Sequence, residues 1–335
     1  RRRQSALRSR LPKLRNERSM TCVHTVKKSH RSGQLAPIDP SGCVVNRSHA
    51  CPSVVVFSRA NLACRRFVCS PAMGDVRDVY VPLAQSLNEA GFRVVTADLR
   101  GHGGSSATFT AYGDEATAAD LIALIEVLDA GPVILVGASM SGAAAVIAAG
   151  RRPDLVRGLV LVCPFLRGPQ SRFKTLVQRA MLGAALMRPW GPAVWNSYSA
   201  RLWPGLPDAQ QRATRLTGLL CRAGRWRAFW ATTRTDHRVV APWLDKVNCP
   251  ALVVMGKEDP DWKEPAAEAA WVASAVGGGG GEVVIVPGAG HAPMLERPGL
   301  VGPQVVDFAR HVIAGNAEAR PAGGEVRSAR CHEQG

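Results

Sequence analysis

The stretch Val133-Ile134-Leu135-Val136-Gly137-Ala138-Ser139-Met140-Ser141-Gly142, followed by the alanine-rich run from Ala143 to Ala149, leaves few folds open. A short β-branched run reads as a buried strand and an alanine-rich run as a helix, so Ser139 stands at the junction between them. A sharp strand-to-helix turn brings two backbones together, which demands small residues two positions to either side, here Gly137 and Ser141. The same turn strains the serine and lifts its hydroxyl above the sheet edge. The helix that follows points its unpaired N–H groups and positive end toward the place where an oxyanion would form. On its own the stretch equally fits an ordinary small-residue turn with a surface serine. What decides is whether a base and an acid stand at neighbouring strand ends.

The chain around it has the rhythm of a parallel sheet. Val79, Leu83 and Leu87 recur at helical spacing up to Gly91, and Phe92 to Ala97 reads as a buried strand. Asp120, Leu121, Leu124, Ile125 and Leu128 form an amphipathic helix that hands over at Gly131-Pro132 to the strand before Ser139. Val156 to Cys163, Cys249 to Met255 and Glu282 to Val286 are further buried strands, with Gly277 to Gly281 a turn before the last. A final helix runs from about Pro298 to Ala314. Alternating strands and helices predict an α/β fold with a mostly parallel central sheet covered by helices on both faces. Between Pro164 and about Val247 the rhythm breaks into helices and loops in which Trp190, Trp195, Trp203, Trp226, Trp230 and Trp243 alternate with arginines. Such an insertion reads as a helical cap over the carboxyl edge of the sheet, its tryptophans serving packing more than a binding box. The expected division is a basic leader over 1–66, core over 67–164, cap over 165–247, core over 248–314 and a polar tail over 315–335.

A serine hydroxyl needs a base within hydrogen-bond reach, usually a histidine oriented by a buried carboxylate. Gly256-Lys257-Glu258-Asp259 follows directly on one strand and Gly288-Ala289-Gly290-His291 on another. Carboxyl ends of parallel strands share one edge, so Ser139, Asp259 and His291 are expected to converge, in the chain order that belongs to this elbow. With these motifs, Asp98-Leu99-Arg100-Gly101-His102-Gly103 and Gly290-His291-Ala292-Pro293 before Glu296-Arg297-Pro298, the chain from about Phe67 to Ala314 resembles a capped α/β-hydrolase fold enzyme of the serine esterase type. The resemblance implies His291 as general base, Asp259 as its orienting acid, and the backbone N–H groups of Met73 and Met140 as the oxyanion hole. It further implies ester hydrolysis through an acyl-enzyme, with C–C bond, thioester or lactone hydrolysis and perhydrolysis open to the same triad, and a non-catalytic ligand-binding member as the reading from another class. A serine nucleophile argues against the dehalogenase and epoxide hydrolase branches, which place aspartate there.

The chain departs from the family's pattern at Ser141, where the elbow usually has glycine, and at Ala72, which replaces a loop glycine and calls for a different turn beneath the oxyanion. Upstream, only Ser53 to Phe57 and a strand interrupted by Arg65-Arg66 stand where two opening strands are expected. His102 is expected to shape the site without acting as base. Asp261 is the competing acid, Asp236-His237 a solvated pair in the cap, and Glu296 a carboxylate steadying the histidine loop.

Charge and cysteine usage bound the partners. Of the formal +16 on 335 residues, residues 1–66 carry fifteen Lys/Arg against two Asp/Glu, and everything after them only +3. On that count the globular part lacks a basic footprint, so nucleic acid is not expected as a partner, and the lack of an apolar run of eighteen residues sets a membrane aside as well. An Arg/Ser-rich, acid-poor leader also fits a transit peptide, though a disordered tail is the simpler reading. Nine cysteines show no C-x-x-C or metal-type spacing, and Cys163 and Cys249 read as small buried hydrophobes. No apolar run reaches eighteen residues and no apolar segment follows the arginines at the start, which makes a cytoplasmic enzyme acting on a small molecule, with no metal or other cofactor, the expectation.

Overall fold

A computed structural model describes residues 54–57, 66–129, 131–168, 171–276 and 280–318. Its centre is one sheet in the order β1-β3-β2-β4-β5-β6-β7. The strands are β1 Val54–Phe57, β2 Arg66–Ser70, β3 Arg93–Ala97, β4 Val133–Ala138, β5 Val156–Val162, β6 Ala251–Gly256 and β7 Glu282–Val286. β2 to β7 run parallel, and β1 lies antiparallel to β3 at the edge. Every residue of β4 and of β6 is buried, which is why their sequences are continuous apolar runs without alternation.

Helices α1 Val81–Glu89, α2 Asp114–Leu128, α3 Met140–Arg151, α8 Pro265–Ala275, α9 Pro293–Glu296 and α10 Pro298–Glu318 surround the sheet, with α1 packed on α10 and α2 on α3. Helix α2 begins six residues before its apolar periodicity does. Asp114 and Glu115 stand in that first turn, where unpaired N–H groups favour negative charge.

The strand order contains the feature that places the site. From β2 the chain crosses to β3 on one side, then returns to β4 on the other side of β2. Loops leaving the carboxyl ends of β2 and β4 therefore diverge and open a crevice between them. Registers of Ser70 with Gly137, Ala138 with Val162 and Gly256 with Val286 bring the loops after β2, β4, β5, β6 and β7 to one edge.

The expectation of a disordered leader is corrected at Val54–Phe57. This β-branched run pairs with Val94–Ala97 and extends the sheet by one antiparallel strand. The rest of the leader up to residue 65, and the tail from residue 319, lie outside the described residues, as do residues 277–279 of the glycine turn. Arg66 does not interrupt its strand: it is the first residue of β2, and its guanidinium donates to the Leu128 carbonyl at 2.9 Å.

Between β5 and β6 stand helices α4 Arg172–Ala185, α5 Gly191–Arg201, α6 Ala209–Leu220 and α7 Arg225–Thr232, followed by a 3-10 run His237–Lys246. These helices have a small apolar centre of their own, Leu186, Trp195, Leu220, Trp226 and Phe229. The 3-10 run instead packs on α3, with Arg151 held 4.9 Å from the Trp243 ring centre. Among the described residues no helix is long and apolar enough to cross a membrane.

A buried ion pair ties α6 to the core. Arg212 bonds Asp75, in the loop after β2, at 2.5 Å and Asp78 at 3.2 Å, and both the Arg212 and Asp75 side chains are nearly inaccessible. Burial pushes the Asp75 carboxyl up, and the Arg212 guanidinium works against that shift. Removing one partner of such a pair strands the other charge in the interior. Arg212→Met is expected to cost about 3 kcal/mol in urea denaturation, and the double variant Asp75→Asn/Arg212→Met to recover at least half of that loss.

Candidate active site

The chemistry of the carboxyl edge starts at the end of β4. Ser139 adopts φ 55° and ψ −121°, a conformation that β-carbon sterics disfavour in an L-residue. Three contacts hold it there. Its N–H donates to the Val162 carbonyl at 2.8 Å, while its carbonyl accepts from Gly142 at 2.9 Å and from Phe165 at 3.2 Å. A β-carbon on Gly137 would overlap the Ser141 carbonyl, and one on Gly142 would press on Pro164 at 2.7 Å. Small residues are therefore obligatory on both sides of the turn.

Ser141 does more than fit. Its hydroxyl donates to the Pro71 carbonyl at 2.6 Å and accepts from Ser70 Oγ at 3.0 Å, tying the elbow to the loop after β2. The sequence alone marks it only as a tolerated small residue, because nothing local reveals a partner seventy positions away. That loop carries Met73. Ala72 keeps an ordinary backbone, and the left-handed step falls instead on Gly74, at φ 83°, where a β-carbon would collide with Trp195. The Gly74 N–H donates to His102 Nε2 at 3.0 Å, and His102 Nδ1 donates to the Arg100 carbonyl at 2.8 Å. Burial lowers His102 to about 4, so it stays neutral and serves the loop as a fixed acceptor. Asp98 organises the other flank, pairing with Arg77 and accepting from the Arg77 and Gly104 N–H groups at 2.8 Å.

Asp259 and His291 arrive from the ends of β6 and β7. Asp259 Oδ2 accepts from His291 Nδ1 at 2.8 Å, with both side chains buried. Asp261 lies farther away, 3.5 Å from the same nitrogen, and is engaged by the Tyr198 hydroxyl of α5. Glu296 accepts the N–H groups of Gly290, Ala292 and Gly205 at 2.8–3.0 Å, holding the loop on which His291 sits. Burial alone would lower the imidazole, but Asp259, with Asp261 and Glu296 behind it, outweighs burial and raises His291 to about 9. Asp259 meets the converse balance: burial opposes its charge, and the His291 imidazole beside it brings its carboxyl below the usual range.

With Nδ1 committed to Asp259, Nε2 is the ring nitrogen left over to act as an acceptor. Ser139, His291, Met73 and Met140 all line one cavity of 880 Å³, enclosed by α4, α5 and the residues after β5. Met140 opens α3, where a backbone N–H has no acceptor within the helix. Phe165 packs its ring against His291, Trp262 and His237. No sequence motif marks Phe165, although its place three residues past the end of β5 makes it an edge residue.

The tryptophans divide. Trp195 and Trp262 line the cavity and Trp226 packs inside the cap, whereas Trp190 is about half exposed. Asp236 and His237 are not the solvated pair expected. Asp236 accepts from Arg238 at 2.6 and 2.9 Å, while His237 bonds Asp114 at 2.9 Å and lines the cavity. Cys163 Sγ lies within 4.8 Å of the Asp259 and His291 ligand atoms. Burial holds that thiol far above its ordinary value, and its Sγ accepts from the Gly256 N–H at 3.5 Å and donates to the Gly290 carbonyl at 3.7 Å.

Residues 67–302 match the alpha/beta hydrolase family. A 2-(acetamidomethylene)succinate hydrolase of Mesorhizobium japonicum is 29% identical over 187 residues, which span 53% of this chain and just under two thirds, 66%, of that protein. Among solved structures, a malate-bound thermophilic esterase from Thermogutta terrifontis aligns with TM-score 0.65 and 24% identity, covering 78% of this chain and 94% of its own. An enol-lactonase from Burkholderia xenovorans aligns with TM-score 0.61 and 23% identity, covering 77% and 97%. At these identities the two structures speak to fold.

The His102 geometry carries a consequence for stability. Above its unfolded value of 6.5 both states hold a neutral ring, whereas between 6.5 and 4 the unfolded chain binds a proton that the folded one refuses. Stability from this group is thus lost as pH falls through that window, by about 3 kcal/mol. Urea denaturation across the window is expected to show a steeper decline for the native protein than for His102→Asn.

Proposed function

The chain belongs to the alpha/beta hydrolase family, and from that premise we propose that it is a serine hydrolase cleaving a carboxylic ester of a small apolar substrate through an acyl-enzyme. The observation that carries this reading is the buried 2.8 Å pair of Asp259 and His291 opening on the same cavity as a serine held at positive φ. Ser139 Oγ attacks the ester carbonyl while His291 Nε2 takes its proton, and Asp259 holds the imidazole in the tautomer that makes this possible. The N–H groups of Met140 and Met73 receive the developing oxyanion, each worth about 3 kcal/mol in the transition state. His291 then returns the proton to the departing alkoxide, and water repeats the sequence on the acyl-enzyme. The bracing of the loop bearing Met73 by Ser141 and His102 supports Met73 as the second donor.

Lactone hydrolysis is the second reading, favoured by the likeness to an enol-lactonase; C–C bond or thioester hydrolysis and perhydrolysis would use the same groups. The apolar and aromatic walls of the cavity, Phe165, Leu182, Leu186, Trp195 and Trp262 among them, suit an apolar acyl or alcohol moiety in all these cases.

A fluorophosphonate probe is expected to label the native protein and to leave Ser139→Ala untouched; failure to label a folded native protein would reject the serine hydrolase and leave a ligand-binding member. With p-nitrophenyl esters of increasing chain length, medium chains are expected to give the highest kcat/KM, and turnover confined to lactones would move the reading to the second one. Because a protonated imidazole accepts no proton, kcat/KM is expected to rise with pH through an ionisation near 9, well alkaline of an ordinary histidine. Asp259→Asn is expected to lower kcat by about 10⁴-fold, and Asp261→Asn to shift the pH profile to lower pH at little cost in rate.

A further inference from the structure

The +3 of the chain beyond residue 66 conceals a segregation. Residues 165–247 carry fourteen Lys/Arg against three Asp/Glu, while the two core segments, 67–164 and 248–314, carry ten against eighteen. A cap of net +11 thus sits on a core of net −8. The reading that the globular part lacks a basic footprint fails here, since summing over the whole domain cancels its two halves.

The same cap concentrates exposed apolar surface. Of ten large hydrophobic side chains exposed among the described residues, eight lie between Phe173 and Tyr198. Phe173 is 74% exposed, Met181 69% and Leu176 66%, all on the outward face of α4, and Trp190, just before α5, is about half exposed, whereas Val194 and Tyr198 of α5 line the cavity. The opposite face of α4 contributes Thr175, Gln178, Leu182 and Ala185 to the cavity wall, so a single helix separates that cavity from the patch. Beside the end of α4, Met187, Trp226 and Trp230 share a 470 Å³ cleft with Arg188, Arg222 and Arg227. None of these three arginines pairs with a carboxylate among the described residues.

We propose that the outer face of α4, with Trp190 and the Arg188, Arg222 and Arg227 cleft beside it, docks the protein on an anionic phospholipid surface. Protruding aliphatic and aromatic side chains insert at the acyl boundary, and the adjoining guanidinium groups meet lipid phosphates, the pairing of chemistries that interfacial helices use. The acidic core is repelled by the same surface, which orients the molecule cap first. A second copy is a poorer occupant, because a two-fold contact would set one +11 cap against another. A nucleic-acid strand answers the arginines and the tryptophans but has no use for Leu176 and Met181 projecting into solvent.

Hydrogen exchange on the full chain tests this, with vesicles of phosphatidylcholine alone and of phosphatidylcholine mixed with phosphatidylglycerol. Amides over 172–201 are expected to gain protection with the mixed vesicles and none with phosphatidylcholine alone. In vesicle flotation, Leu176→Ser/Met181→Ser and Arg188→Gln/Arg222→Gln/Arg227→Gln are each expected to lower the bound fraction roughly tenfold, with unchanged denaturation midpoints. Protection confined to residues 1–66 would assign binding to the basic leader and overturn the proposal. So would protection of 172–201 that rises with protein concentration in the absence of lipid, which marks a second copy, or equal protection by a polyuridylate strand. Exchange in the native chain locates the contact even if a variant fails to fold.

Discussion

The carboxyl edge of this sheet depends on the close passage of β4 and α3 at Ser139. Because Gly137 has no β-carbon, the Ser141 carbonyl sits against it, and because Gly142 has none, Pro164 packs behind the first turn of α3. That packing holds Ser139 at positive φ, and each neighbouring loop takes its position from the same turn. The loop after β2 is fastened by Ser141 to Pro71, and the segment after β5 by the Phe165 N–H to the Ser139 carbonyl. Strain at one residue is sustained by at least four contacts that would have to break together for it to relax.

Around this turn polar groups appear in layers that keep one another in place. Asp259 orients His291; Glu296 holds the loop beneath it through three N–H groups; His102 and Asp98 brace the loop after β2 from the opposite side. Each is buried, and each meets partners fixed by backbone, so their low-dielectric surroundings reward the correct geometry and penalise any other. The ionisations diverge accordingly. His102 and His291 are both buried imidazoles, yet the first is driven down by burial and the second is carried up by the carboxylates beside it. Identical side chains thus serve one loop as a neutral acceptor and the proposed chemistry as a base.

The cap is built on other terms. It owns a small aromatic centre, is fastened to the core through Arg212 and Asp75, and leaves its remaining charge and apolar surface turned outward. Its charge was countable in the sequence, but only once the boundary between cap and core was known to matter. The globular part as a whole is nearly neutral, which describes neither half.

Much of the site was legible in sequence because its elements announce themselves locally. A buried strand, a small-residue turn and a helix follow from composition over a dozen residues, and Asp259 and His291 declare themselves by standing just past two other apolar runs, whose shared edge is a consequence of parallel pairing. Longer-range partnerships were not legible. Ser141 bonding Pro71, His102 receiving the Gly74 N–H, Asp236 and His237 turning to separate partners, and Phe165 lining the cavity all join positions that no period or motif connects. Val54–Phe57 shows the same division, since four β-branched and aromatic residues signal a strand, but only pairing with β3 makes them part of this sheet. Sequence by itself determined the order of strands and helices and the three side chains set at one edge, since hydrophobic period and turn chemistry are local. Tertiary structure decided which buried polar groups meet and which face of the cap stays uncovered, because both depend on distances between segments far apart in the chain.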